Sequence, residues 1–139
     1  MSRVSIEQMN KILHNGLPNS AKVGMIVETI GDGTCTMRLP VDETMVRPGG
    51  TLSGPSMMGL ADAAMWVCVM SKIGDVQLAV TTNFNINFLR KPKMQDIIAE
   101  GKSIKTGKQL AVIEVTLFTA GEEHEPVAHA TGTYSIPPR

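Results

Sequence analysis

The stretch that decides the fold is Gly54-Pro55-Ser56-Met57-Met58-Gly59-Leu60-Ala61-Asp62-Ala63-Ala64-Met65-Trp66-Val67-Cys68-Val69-Met70-Ser71. It reads as a helix from Gly54 to about Lys72. Proline suits the first turn because the N–H it lacks would have no partner there, and Gly74 stands where such a helix stops. Met57, Met58, Leu60, Met65, Trp66, Val67, Val69 and Met70 leave no polar stripe around a helical turn. A helix that is apolar on every side must be wrapped by other structure. A bilayer is a poor wrapper here, because the run from Pro55 to Ser71 falls short of the ~20 residues a span needs and carries Asp62 at its middle.

The flanking sequence supplies the wrapping. Ser5 followed three residues later by Gln8, then Met9, Ile12 and Leu13, has the form of a capping box opening a short amphipathic helix that Gly16 and Pro18 end. Gly24–Ile30 and Thr34–Leu39 flank Gly31-Asp32-Gly33 and read as a hairpin. Pro40 to Leu52 reads as a loop. Beyond the apolar helix come four strand-like segments: Leu78–Phe88, Asp96–Thr106, Leu110–Thr119 and Val127–Ser135. The order αββαββββ predicts an α+β fold in which an antiparallel sheet of about six strands wraps one long helix. In Leu78–Phe88 strict alternation sets Thr82, Phe84, Ile86 and Phe88 on the core face. Thr81, Asn83, Asn85 and Asn87 fall on the other, which suggests a polar subunit contact.

The chain of 139 residues and 14.9 kDa is the size of one domain, 1–139 with a core of about 24–135. With 42% hydrophobic and 19% charged residues it can build a packed core. Lys plus Arg and Asp plus Glu both number 13, so no net field favours nucleic acid or an anionic membrane as partner. Cys35 and Cys68 do not form a disulfide framework or a zinc spacing, and the N-terminus lacks an apolar signal segment; a reducing cytoplasm is the expected location. His124 and His129 are wrongly spaced for a helical zinc signature and Pro126 breaks the helix, so no metal is expected.

Asp62 is the only ionisable group between Pro55 and Ser71. A carboxylate in such a helix must be neutral, hydrogen-bonded or open to a cavity, and a structural role weighs evenly against a catalytic one. Gly54 and Ser56 sit at the helix N-terminus, where free N–H groups and the helix dipole can hold an oxyanion. By the helical rise Gly54 lies about 12 Å from Asp62, too far for one carbonyl to touch both. The two fit better as parts from different subunits across a two-fold axis, which predicts a dimer.

Arg47-Pro48-Gly49-Gly50-Thr51-Leu52-Ser53-Gly54, followed by Leu60-Ala61-Asp62-Ala63-Ala64, resembles the active-site stretch of hotdog-fold acyl-CoA thioesterases of the phenylacetate-degradation type. The strand Val80–Phe88 and the Gly107-Lys108 turn match in order and spacing, and the similarity runs from roughly Gly24 to Ser135. The resemblance implies a hotdog fold, an obligate homodimer, here expected to be a dimer or dimer of dimers, and sites shared by two subunits. It makes Asp62 the nucleophile or general base, Thr81 the hydroxyl that orients water, and Gly54 the N–H that polarises the thioester carbonyl. In two places the chain departs from the family pattern. The family's His nine residues before the Asp is Ser53, and its Asn fifteen residues before is Arg47. Setting Pro48-Gly49-Gly50 on the family's His-Gly-Gly instead gives the wrong distance to Asp62.

Ser53 can donate a hydrogen bond but carries no charge, whereas Arg47 is permanently cationic; Arg47, Ser53 or Thr81 is expected to oppose the desolvation of Asp62. The resemblance further implies an acyl-CoA substrate and no cofactor. Met57, Met58 and Trp66 are candidate liners of an acyl slot, although ordinary core is the commoner role for such residues. Arg90, Lys91 and Lys93 form a tight basic cluster that could meet the CoA phosphates, with Lys108 adding to it, and Asn83 is counted with the substrate-binding candidates. Two alternatives stay open: a hotdog 3-hydroxyacyl-thioester dehydratase, for which no histidine is well placed, and a non-catalytic acyl- or CoA-binding module.

Overall fold

A computed structural model describes residues 1–138. Its first element, α1 (Ile6–Gly16), opens with the expected reciprocal cap: Gln8 N–H donates to Ser5 Oγ at 3.1 Å and Ser5 N–H to Gln8 Oε1 at 3.0 Å. Pro18 does more than stop this helix. It occupies the first turn of a second, α2 (Pro18–Lys22), where its missing N–H is no loss. The hairpin follows as β1 (Ile26–Gly31) and β2 (Thr34–Leu39). The segment expected to be loop then holds a 3₁₀ turn at Glu43–Met45 and a miniature hairpin of β3 (Val46–Arg47) and β4 (Thr51–Leu52), closed through Gly49 and Gly50 at φ 100° and 74°.

The long helix α3 (Gly54–Ile73) is capped by Ser53 and ends at Gly74 with φ 97°. At 20 residues it is long enough to cross a bilayer, but most of its surface is covered by protein. The cover is one six-stranded antiparallel sheet completed by β5 (Val80–Phe88), β6 (Ile97–Thr106), β7 (Leu110–Thr119) and β8 (Ala128–Ser135), in the order β1-β2-β6-β7-β8-β5. Period-2 rows make its inner face: Cys35, Met37 and Leu39 on β2, Ala111, Ile113, Val115 and Leu117 on β7, and Ala128, Ala130, Gly132 and Tyr134 on β8, all buried.

The helix sits close to the sheet because two inner positions are bare. A Cβ at Gly101 would lie 2.7 Å from Cys68 Sγ, and one at Gly132 would lie 2.5 Å from Met65 Sδ. At either position a Cβ would force the facing side chain of the helix to shift. The wrapping is incomplete along one line of α3, where Pro55, Met58 and Gly59 are exposed and Asp62 is half-buried. This opening positions the candidate site.

Simple alternation along β5 breaks at one point. Thr81 pairs with Tyr134 and Asn83 with Thr133, so Thr82 is an extra residue, a β-bulge. Downstream, Phe84 and Ile86 face the core and Asn83, Asn85 and Asn87 lie exposed, as alternation predicts, but Phe88, expected on the core face, is exposed at the end of the strand. Upstream, the bulge turns Thr81 from the asparagine face to the face of Tyr134, toward α3.

Candidate active site

Asp62 is reached from two strands. Thr81 Oγ1 donates to Asp62 Oδ1 at 2.8 Å, and the Tyr134 hydroxyl donates to the same oxygen at 2.7 Å. Tyr134 also lies 3.0 Å from the Asp62 carbonyl, but its single proton favours the carboxylate, where the bond is charge-assisted. Oδ1 is thus held by two hydroxyls. Oδ2 has no partner, and since no buried side-chain oxygen among the described residues lacks one, Oδ2 is reached by solvent. Asp62 borders a cavity of about 670 Å³ whose walls include Ala63, Trp66, Leu78, Ala79 and Leu17.

Burial first, and the negative charge of Asp62 second, push the Tyr134 phenol well above its ordinary range, against a smaller opposing effect of the Thr81 hydroxyl. Tyr134 is therefore held as the protonated donor more firmly than an exposed phenol. Because the folded protein holds this proton more tightly than the unfolded chain, stability falls as pH climbs above the unfolded value of about 10. Tyr134 is the chain's one tyrosine, so its ultraviolet titration is assignable. Phenolate absorbance is expected only together with unfolding; a reversible phenolate signal in the folded state would contradict the arrangement. Tyr134→Phe should remove that alkaline limb and leave Oδ1 with one donor, Thr81.

The remaining candidate residues fall elsewhere. Gly54, Arg47, Arg90 and Lys91 border a separate groove of about 540 Å³ together with Met57 and Phe88. The Gly54 N–H, at the first helical position, has no intrahelical partner. Ser53 is held as the cap: its Oγ accepts from Ser56 N–H at 3.3 Å and lies 2.9 Å from Ser56 Oγ. Arg47 is exposed and forms no ion pair with Asp62 within one protomer. Met58, one turn before Asp62, is 40% exposed and lines neither cavity. Asn83 lies exposed on the outer sheet face. Lys93 pairs with Glu122, so the basic cluster meeting the groove is reduced to Arg90 and Lys91, and Arg90 also donates from Nε to the Pro126 carbonyl at 2.9 Å. Lys108 borders a third hollow with Leu110 and Ile136, beside the end of β8.

Residues 49–125 match the thioesterase superfamily. The chain belongs to the thioesterase superfamily. A candidate thioesterase from Silicibacter sp. TM1040, known as a crystal structure, is 38% identical, with 99% of this chain and 95% of that chain covered and a TM-score of 0.89. A candidate esterase of Thermoplasma acidophilum is 28% identical over 110 residues, 79% of this chain and 81% of that protein. A mutant of the phenylacetic acid degradation protein PaaI from Thermus thermophilus covers 86% of this chain and 99% of its own with a TM-score of 0.76, at 20% identity a likeness of fold. The sheet-wrapped helix is the hotdog fold of this thioesterase superfamily.

Within that superfamily fold, Tyr134 is the site residue that sequence reasoning missed. A signal was present: along β8 the inward row runs Ala128, Ala130, Gly132, Tyr134, so the one bulky inward residue carries a hydroxyl that burial obliges to find a partner. Asp62 is the acceptor the fold offers.

Proposed function

We propose that the protein hydrolyses acyl-CoA thioesters as a homodimer of the phenylacetate-degradation type, with Asp62 as nucleophile or general base. One observation carries the reading: a carboxylate with one oxygen fixed by two hydroxyls and the other unpartnered, on a residue that borders a largely apolar cavity. A purely structural aspartate has no need of a free oxygen in a cavity, whereas a nucleophile or base requires one held in a fixed direction.

Hydrolysis also needs the thioester carbonyl polarised. The Gly54 N–H at the positive end of α3 suits this, since negative charge develops on the carbonyl oxygen as the tetrahedral intermediate forms. Gly54 and Asp62 open on different hollows of one protomer, and this separation supports a site in which a second copy supplies the Gly54 half. Oδ2 of Asp62 then either attacks the carbonyl carbon, expelling CoA as the thiolate and leaving an acyl-aspartyl anhydride that water cleaves to the free acid, or takes a proton from the water that attacks, so that CoA leaves as the thiolate and the acyl group as the acid. Arg47, Arg90 and Lys91 beside Gly54 give the phosphates of CoA a basic groove. None of the three histidines lines either hollow, which weakens the dehydratase alternative.

The test is thiol release from a panel of acyl-CoA esters of increasing acyl size. Turnover of at least one ester is expected. Tight binding of acyl-CoA with no turnover across the panel would replace this reading with that of a binding module.

A further inference from the structure

Resting on the hydrolase reading, we propose that the α1–α2 turn and Trp66 together build the far wall of the acyl pocket, with Gly16 and Trp66 setting its depth and so restricting the site to compact apolar acyl groups.

Trp66 follows Asp62 by one helical turn, so the two share a face of α3 about 6 Å apart along the axis. Helical side chains lean toward the helix N-terminus, which tips the indole back over the turn that carries the carboxylate. Its position is fixed: Trp66 is only 6% exposed, and its Nε1–H donates to the Gln77 carbonyl at 3.3 Å. The ring is backed by Gly16. A Cβ there would lie 3.3 Å from Trp66 Cη2 and 3.5 Å from Gln77 Oε1, so the bare glycine lets the end of α1 rest against the indole. Leu17 and Ser20 continue this wall into the cavity that holds Asp62.

These wall residues, Gly16, Leu17 and Ser20, lie outside residues 49–125, the part that matches the superfamily. The carboxylate thus comes from the matched segment, and one wall of the pocket comes from the N-terminal helices. A short acyl group attached to a carbonyl near Asp62 fits between Asp62 and Trp66. A long straight chain must push the indole or the α1–α2 turn aside.

The test compares kcat/KM for butanoyl-, octanoyl- and dodecanoyl-CoA in the wild type, Trp66→Leu and Gly16→Val. The wild type should prefer butanoyl to dodecanoyl. Trp66→Leu should raise the dodecanoyl-to-butanoyl ratio by roughly tenfold or more, and Gly16→Val should lower the octanoyl-to-butanoyl ratio by a similar factor, in the range expected for a methylene or two in an apolar pocket. Gly16→Val alters an exposed helix end, so it keeps the comparison readable if Trp66→Leu fails to fold. Unchanged ratios in the folded variants overturn the proposal while leaving hydrolysis intact.

Trp66 is the chain's one tryptophan, so its fluorescence gives a readout independent of turnover. S-butyl-CoA thioether should shift the emission, and Gly16→Val should alter that shift. Absence of any shift at saturating thioether, with binding shown by calorimetry or absent there as well, overturns the proposal. If no ester releases thiol, the hydrolase reading fails by itself, and the fluorescence still decides whether the acyl group seats against Trp66.

Discussion

Asp62→Asn is expected to abolish thiol release, lowering kcat by about 10³-fold, the range set by loss of a positioned base or nucleophile. The substitution leaves the surroundings of the carboxylate paired. The asparagine Oδ1 still accepts from Thr81 and Tyr134, so both hydroxyls keep their acceptor. Only the charge assistance of those bonds is lost, a change of about 1 kcal/mol in stability. The amide that replaces Oδ2, however, neither attacks a carbonyl nor takes up a proton. Asp62→Ala is a poorer probe because it deprives Thr81 of its acceptor and leaves Tyr134 only the backbone carbonyl of position 62. Thiol release, circular dichroism and a melting curve on the asparagine variant separate chemistry from folding. Retention of more than a tenth of wild-type kcat would remove Asp62 from the reaction.

Much of this site is legible in the sequence because one physical constraint dominates it. A helix with Met57, Leu60, Met65, Trp66, Val67 and Met70 pointing all ways can exist in water only if a sheet surrounds it, and the lone carboxylate within it then calls for partners. The capping box at Ser5 and Gln8 and the stop at Gly74 are equally local, and both are observed. What the sequence hides are properties of pairing. The bulge at Thr82 exists only in the register between β5 and β8. Read along β5 alone, alternation continues unbroken and points Thr81 away from the helix, although the resemblance makes it the hydroxyl that orients water. The bulge reconciles the two, and bulges next to functional sites commonly re-aim a side chain in this way. The α2 helix was hidden for a different reason: Pro18 serves equally well as a stop signal and as a first helical residue, and only the fold chooses between them.

The separation of Gly54 from Asp62 leads to the second large expected effect, complementation between two inactive subunits. Gly54→Pro should delete the polarising N–H, and a melting curve checks that the new ring is accommodated between Pro55 and Phe88. Proline is at home in the first helical turn, and Ser53 already has the extended backbone that a residue before proline requires. If the carbonyl is polarised by one protomer and attacked with the carboxylate of the other, Gly54→Pro and Asp62→Asn homodimers are each inactive for a different missing half. A mixed dimer, however, contains one site with both native halves and one with neither. Random pairing makes half of the dimers mixed, so subunits combined in equal amounts should recover about a quarter of wild-type activity. A site built within one protomer gives no recovery at any mixing ratio, because every site then carries one of the two lesions. Refolding the pair together, with each variant refolded alone as control, therefore reads the division of labour directly from thiol release. A mixture no more active than its parents would place the polarising group elsewhere on the Asp62 protomer and end the two-subunit scheme, while leaving the carboxylate's own role to the Asp62→Asn result.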